Sequence, residues 1–203
     1  MNKLNLVMNE LEFDEGKHIY TLNGVQLPSV TSVINFGGND YKGIAEDVLK
    51  KAADRGTVIH SAIETWIDCE MDTIVNEEHR GYFDAFLAWY KSKNIDPFAT
   101  EQKVYHKILK YAGTIDLIAM VDGELVIVDY KTSATITNEL EGSYRMQLEA
   151  YRQALKTHGV NIEKAIILHL KSDGTYREIV TGPDPDRWYK FNCGIIWYRH
   201  KHQ

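Results

Sequence analysis

The stretch GTIDLIAMVDGELVIVDYK, residues 113–131, carries the strongest structural signal in this chain. Its two halves are rich in β-branched and apolar residues, and Asp122-Gly123 between them is a pair that favours a tight hairpin turn. The preceding segment KVYHKIL, residues 103–109, has the same character. We therefore predict a three-stranded antiparallel meander over about residues 101–131.

Helices and further strands are predicted on both sides of this meander. Apolar residues recur at intervals of three and four from Ile44 to Glu70 and from Glu77 to Lys93, which is the period of an α-helix. Gly56 is expected to divide the first of these segments into two helices. Together with the segments that follow the meander, the order of elements predicts an α/β or α+β domain with a central mixed β-sheet flanked by helices. The later segments are a helix over 140–158, strands over 164–170 and 176–181, and a closing helix over 184–199.

The N-terminal segment predicts a small β-hairpin ahead of the core. In HIYTLNGVQLPSVTSVI, residues 18–34, Asn23-Gly24 favours a two-residue turn, and Ser29 can cap a short helix through Val33 and Ile34. A chain of 203 residues suits one good-sized core. We predict one domain over 1–203, with the hairpin and the PSVT segment in 1–40 and the core in 44–200.

The composition limits the class of protein. The chain is 44% apolar and 26% charged, and it has no apolar run near the roughly 18 residues that a membrane span needs and no signal-peptide centre. A cytoplasmic protein without a membrane partner is expected. The net charge of −6 argues against unspecific coating of nucleic acid, which depends on Lys and Arg, but it leaves room for a local basic groove.

Cysteine and clustered lysine side chains have simple interpretations. Cys69 and Cys193 have no CxxC neighbour, so the chain offers no four-thiolate metal site or disulfide framework, and buried free thiols are expected. Lys103, Lys107 and Lys110 could line a basic groove, although ordinary solvated surface is the preferred interpretation. An apolar stripe at helical spacing is predicted to be core rather than a base-stacking surface, and it consists of Phe83, Phe86, Leu87 and Tyr90.

The tripeptide Asp-Tyr-Lys occurs twice, at 40–42 and at 129–131, and its surroundings distinguish the two copies. Alternation along the strand LVIVDYK puts Asp129 and Lys131 on one face and Tyr130 on the other. The turn at 122–123 pairs Asp116 with a residue close to Asp129, so two carboxylates converge beside a lysine. The copy at 40–42 has no strand to align it and is predicted to lie on the surface.

Two explanations fit these converging carboxylates when they are considered alone. They could form a salt-bridged patch with Lys131, or they could hold a hard cation such as Mg²⁺ or Mn²⁺, which prefers oxygen ligands. The preceding helix favours the cation. Gly56, His60 and Glu64 recur at intervals of four, so His60 and Glu64 share a helical face that a ligand can approach closely at Gly56.

Four motifs follow one another along the chain: GTVIHSAIE with Gly56, His60 and Glu64; AGTIDLI with Asp116; IVDYKTS with Asp129 and Lys131; and QLEAY with Gln147 and Tyr151. In this order, over roughly residues 55–155, they resemble the RecB-type branch of the PD-(D/E)XK nuclease superfamily. The PSVT segment at 28–31 is similar to the family of mitochondrial genome maintenance exonucleases and their phage-encoded relatives. The resemblance implies a restriction-endonuclease-like core.

The same resemblance implies a role for each matched residue, with one or two Mg²⁺ or Mn²⁺ ions as cofactor. Glu64 would be a supporting acid that orients His60 or touches a second cation through water. An iron–sulfur cluster is not expected, because the four cysteines that flank the core in the iron–sulfur members are missing. The implied metal ligands are His60, Asp116, Asp129 and the backbone carbonyl of Tyr130; the catalytic residues are Lys131, Asp129, Asp116 and Glu64; the substrate contacts are Gln147, Tyr151 and Gly56.

The implied activity is metal-assisted hydrolysis of DNA phosphodiester bonds. The leading expectation is an exonuclease that acts on single-stranded ends in phage or bacterial recombination and repair. No GxxxxGK[ST] motif is present to bind nucleotide phosphates, so a helicase would be a separate partner, as would a single-strand-binding or annealing protein. A structure-specific endonuclease and a non-cleaving nuclease-fold module that binds DNA or protein are the alternatives.

Overall fold

A computed structural model describes residue 8 and residues 10–37, 45–69 and 73–202. The Asp-Tyr-Lys copy at 40–42, predicted to lie on the surface, is outside the described residues. Strands and helices follow one another in blocks, as in an α+β protein. They are β1 (Leu11–Asp14), β2 (Ile19–Leu22), β3 (Val25–Leu27), α1 (Val30–Gly37), α2 (Glu46–Cys69), α3 (Glu77–Lys91), β4 (Ile95–Tyr105), β5 (Ala112–Val121), β6 (Glu124–Thr132), α4 (Asn138–Thr157), β7 (Lys164–Leu170), β8 (Tyr176–Thr181) and α5 (Pro185–His202).

A mixed five-stranded sheet forms the centre, in the order β4-β5-β6-β7-β8. The meander β4-β5-β6 is antiparallel, as predicted, and its second turn lies at Asp122-Gly123. Strands β6 and β7 run parallel, and α4 makes the crossover that a parallel pair requires. The predicted mixed sheet flanked by helices is therefore confirmed.

Apolar side chains from the sheet pack on both of its faces. On one face, Ile127 of β6 packs with residues of α1, α4 and α5. On the other, Val126, Val128 and Tyr130 pack against α2 and α3. This confirms the predicted alternation along β6, and burial on both faces explains why the strand is so apolar. The aromatic stripe of α3 contributes Phe83 and Phe86 to this second core, with Leu87 and Tyr90 partly buried against it.

Two local expectations were wrong. Gly56 does not divide two helices, because α2 runs unbroken from Glu46 to Cys69. A glycine inside a helix costs about 1 kcal/mol, which burial of apolar residues such as Ile59 and Ile63 can outweigh. Cys69 and Cys193 are exposed free thiols rather than buried ones.

The N-terminal unit is a three-stranded antiparallel sheet, since β1 joins the predicted hairpin of β2 and β3. The hairpin turn at Asn23-Gly24 has φ of 51° and 79°, as its two positions require. The Ser29 hydroxyl accepts from the Ser32 N–H at 3.0 Å and so caps α1 as predicted. Ala112 N donates to Pro28 O at 3.0 Å and ties this unit to β5. Across the described ranges, no helix is both long and apolar enough to cross a membrane.

Candidate active site

The site forms where two central strands part. Pairing between β5 and β6 ends at Leu117 and Val128, beyond which β5 pairs only with β4, and β6 only with β7. Asp116 and Asp129 are the next residues on the two separating strands. The Tyr130 N–H donates to Asp116 Oδ2 at 2.7 Å across this opening. The sheet thus places the two carboxylates close together, as the turn position predicted.

A cluster of three possible metal ligands spans α2, β4 and β5. His60 Nδ1 lies 3.6 Å from Asp116 Oδ1 and 3.9 Å from Glu101 Oε1. His60 Nε2 donates to the Tyr130 carbonyl at 3.2 Å, so in the neutral ring the Nδ1 lone pair faces both carboxylates. Because all three ligand atoms lie within 4.8 Å of one another, a cation between them would remove this repulsion.

Glu101 was not predicted from the sequence. It lies opposite Asp116, because Thr100 pairs with Leu117 and Gln102 with Ile115, and its φ of 44° is in the left-handed region. Burial raises the pKa of Glu101 to about 7, and Asp116 adds to the rise while His60 opposes it. The signal that could have identified Glu101 is its cross-strand position, which requires the register between β4 and β5.

The chemistry of the donor set fits a divalent cation. Two carboxylates supply oxygen ligands, which Mg²⁺ and Mn²⁺ prefer, and the imidazole of His60 supplies a nitrogen that first-row transition metals accept. His60 is held by its second ring nitrogen, and Asp116 by the Tyr130 N–H. Such outer contacts orient metal ligands in proteins.

Asp129 and Lys131 form a buried ion pair beside this cluster. Lys131 Nζ lies 2.8 Å from Asp129 Oδ2, and the side chain of Gln147 joins the pair. Its Nε2 donates to Asp129 Oδ1 at 2.9 Å, and its Oε1 accepts from Lys131 at 3.2 Å. Burial raises the pKa of Asp129 to about 6 against the opposing charge of Lys131. Burial alone would lower the pKa of Lys131, but Asp129 and Asp116 raise it.

Gln147 and Tyr151 of α4 lie beneath this pair. Tyr151 is 3% exposed, and its hydroxyl accepts from Gln147 Nε2 at 3.0 Å. Its ring packs on Gly113 of β5, where an added Cβ would lie 2.5 Å from the ring atom Cε1. The sequence predicted substrate contacts for both residues; in the structure Gln147 contacts the Asp129–Lys131 pair, and Tyr151 contacts Gln147.

All of these groups open onto one cavity of about 610 Å³. Lys103, for which solvated surface was the preferred interpretation, also lines it. At Gly56 the nearest atom to an added Cβ is Thr132 Oγ1 at 4.0 Å, so this helix face offers open space. The predicted residues that line the cavity are Gly56, His60, Glu64, Asp116, Asp129, Lys131, Gln147 and Tyr151, and Glu101 joins them.

Comparison with known proteins gives a family match and one curated relative. The family model of the PD-(D/E)XK nuclease superfamily matches residues 74–188, more than half of the chain. This range contains Glu101, Asp116, Asp129 and Lys131 and begins after α2, which carries His60. The mitochondrial genome maintenance exonuclease 1 of Mus musculus is 26% identical over 128 residues, which are 60% of this chain and 38% of that protein. The chain therefore spans well under half the length of this relative.

Solved structures of two bacterial proteins are similar at low identity. A phage-related exonuclease from Haemophilus somnus 129PT is 10% identical with a TM-score of 0.46, covering 83% of this chain and 90% of that one. An alkaline exonuclease from Laribacter hongkongensis is 8% identical with a TM-score of 0.47, covering 86% of this chain and 87% of that one.

Proposed function

The chain belongs to the PD-(D/E)XK nuclease superfamily, and from that premise we propose that it is a metal-dependent DNA exonuclease acting on single-stranded ends. The observation that carries this proposal is that two sets of ionisable side chains line one cavity. The first is the cluster of His60, Glu101 and Asp116, and the second is the Asp129–Lys131 pair. Clustered charges of this kind are costly for a scaffold that only binds, because buried ions lose hydration.

His60, Glu101 and Asp116 are the proposed principal metal ligands, with Asp129 and the Tyr130 carbonyl completing the site. A bound Mg²⁺ or Mn²⁺ would polarise a phosphate oxygen and make a water molecule more acidic. The backbone of Tyr130 in β6 orients two of the ligands, because its N–H holds Asp116 and its carbonyl holds His60. Glu64, which lines the cavity near Glu101, is proposed as a supporting acid.

Lys131 is proposed to act as a charged hydrogen-bond donor rather than as a base. The raised pKa of its ammonium keeps it protonated near neutral pH. It can therefore orient the attacking water and stabilise negative charge that develops on the phosphate. Gln147 holds both members of the Asp129–Lys131 pair, so we assign Gln147 and Tyr151 a positioning role in addition to the predicted substrate contact.

The proposed setting is DNA recombination or repair in the cytoplasm of bacteria or in phage infection. Residues 1–203 are proposed to act as a single nuclease domain. A separate helicase would supply unwinding, and a single-strand-binding or annealing protein would present or take over the strand.

End-labelled DNA tests this proposal directly. Single- and double-stranded substrates labelled at the 5′ or 3′ end are incubated with Mg²⁺, Mn²⁺ or a chelator, and cleavage is expected only with metal. Asp116→Asn and Asp129→Asn should each abolish it, whereas unchanged cleavage by either variant would show that the assigned site is wrong. Cleavage of circular single-stranded DNA would favour the endonuclease, and absence of Mg²⁺ and Mn²⁺ binding would favour the non-cleaving module.

A further inference from the structure

Three aromatic rings of the small N-terminal sheet lie at the rim of the cavity. Phe13 of β1 stacks on Tyr20 of β2 with ring centroids 4.5 Å apart, and His18 meets the two rings edge-on at 5.2 and 5.8 Å. All three side chains line the same cavity as His60 and Asp116. This aromatic lip, defined as Phe13, His18 and Tyr20, therefore faces the space that the candidate metal cluster faces.

The lip is fixed to β5, the strand that carries Asp116 of the cluster. Tyr20 is 2% exposed, and its hydroxyl lies 2.7 Å from Thr114 Oγ1, two residues before Asp116 on β5. His18 is exposed, and its φ of 53° ends the turn between β1 and β2 in the left-handed region. The lip thus combines a buried ring, that of Tyr20, with an accessible one, that of His18. Such a surface suits a flat ligand.

Charges around the lip indicate which part of a nucleotide it would contact. Lys103 Nζ lies 5.8 Å from the centre of the Phe13 ring, and Lys103 pairs with Thr114 across β4 and β5. Glu15 lines the same rim, and its carboxylate would repel a phosphate. The aromatic rings are therefore suited to a nucleobase, and Lys103 to an adjacent phosphate.

We propose that the aromatic lip binds an unpaired nucleobase of the DNA strand that enters the cavity, while Lys103 binds the neighbouring phosphate. This inference rests on the proposed function and adds how the strand is held. Stacking on aromatic side chains accepts any base, because every base has a π-face. The lip would thus distinguish unpaired from paired DNA without reading the sequence, since a paired base has its faces covered by its neighbours.

Two lip variants and a matched control test this proposal. Phe13→Leu keeps an apolar side chain in the small sheet, and His18→Asn introduces a residue that tolerates positive φ. Tyr189→Leu is the control, since Tyr189 is a 71% exposed aromatic residue of α5 outside the cavity lining. The probe is a labelled short oligothymidylate, intact or with one abasic sugar placed at each position in turn. Binding is followed by fluorescence anisotropy in Ca²⁺, whose looser coordination than that of Mg²⁺ disfavours cleavage.

The expected result is a coupling between the lip and one nucleotide position. The combined Phe13→Leu/His18→Asn variant should bind intact DNA about 5- to 100-fold more weakly, and Tyr189→Leu should bind like wild type. One abasic position should produce a similar loss in wild type and no further loss in the combined variant. The proposal would be overturned if wild type and the combined variant bound DNA with equal affinity. It would also be overturned if an abasic position weakened binding equally in both proteins.

The experiments distinguish an error in the proposed role of the lip from an error in the proposed reaction. If metal-dependent cleavage requires Asp129 but the lip variants bind DNA normally, the lip alone is wrong. If the binding cycle shows the coupling but no metal supports cleavage, the proposed reaction alone is wrong. If wild type binds no single-stranded DNA, both are overturned.

Discussion

Replacing Lys131 by Met is expected to destabilise the protein strongly, because a buried carboxylate then loses its counterion. Asp129 is 1% exposed, and the Lys131 ammonium lies 2.8 Å from its Oδ2. Removing one partner of a buried ion pair typically costs about 3–5 kcal/mol. Gln147 still donates to Asp129 Oδ1 at 2.9 Å, so we expect a loss near the lower end, about 3 kcal/mol.

The double variant Asp129→Asn/Lys131→Met separates this electrostatic cost from lost packing. It removes both charges, so its free energy of unfolding should return to within about 1 kcal/mol of wild type. Urea unfolding in the presence of a chelator measures both variants without a contribution from bound metal. The double variant should not cleave DNA, although its stability recovers. A cost below about 1 kcal/mol for Lys131→Met, or a double variant no more stable than the single one, would refute the reasoning.

Three further changes test other parts of the structure. Gly113→Ala places a Cβ 2.5 Å from Tyr151 Cε1, so urea unfolding should show a loss of about 1–3 kcal/mol, and DNA cleavage should fall at least about 10-fold; unchanged stability and cleavage would contradict this. Burial lowers the pKa of His106 to about 4, so the unfolded chain takes up a proton first as pH falls. Stability should therefore decrease by about 1.4 kcal/mol per pH unit from about pH 6.5 to 4, and in the same unfolding series His106→Asn should lack this component of the slope. Tyr130→Phe removes a buried hydroxyl without a hydrogen-bond partner in the described part of the chain, so thermal unfolding should show unchanged or higher stability and cleavage should persist; a loss above about 1 kcal/mol would contradict this.

The sequence contained most of the information that places Asp116, Asp129 and Lys131. Period-2 alternation fixes which side chains of β6 share a face, and the Asp122-Gly123 turn fixes which residue of β5 lies opposite. Both signals are local, so they can be recognised without the rest of the structure. The helical spacing of His60 and Glu64 is local in the same sense, which is why that face of α2 could be identified.

Glu101 and Gly56 show what local signals could not supply. Glu101 reaches the site through the β4–β5 register and a left-handed backbone conformation. Neither can be predicted from the residues next to Glu101 in the sequence. Gly56 has a low helix propensity, yet tertiary packing of α2 on the sheet keeps the helix continuous. The exposure of Cys69 and Cys193 could not be predicted from residue type, because it depends on which helix face meets the core.

The main chain of Tyr130 links two of the proposed metal ligands through two successive peptide groups. Its N–H binds Asp116, and its carbonyl binds His60. Alanine scanning would replace only the ring, which packs in the core, and would leave both of these contacts in place. A side-chain scan would therefore report lost core packing at Tyr130 and would miss both backbone contacts. An amide-to-ester replacement between Asp129 and Tyr130 removes the N–H that binds Asp116, and one between Tyr130 and Lys131 weakens the carbonyl that binds His60.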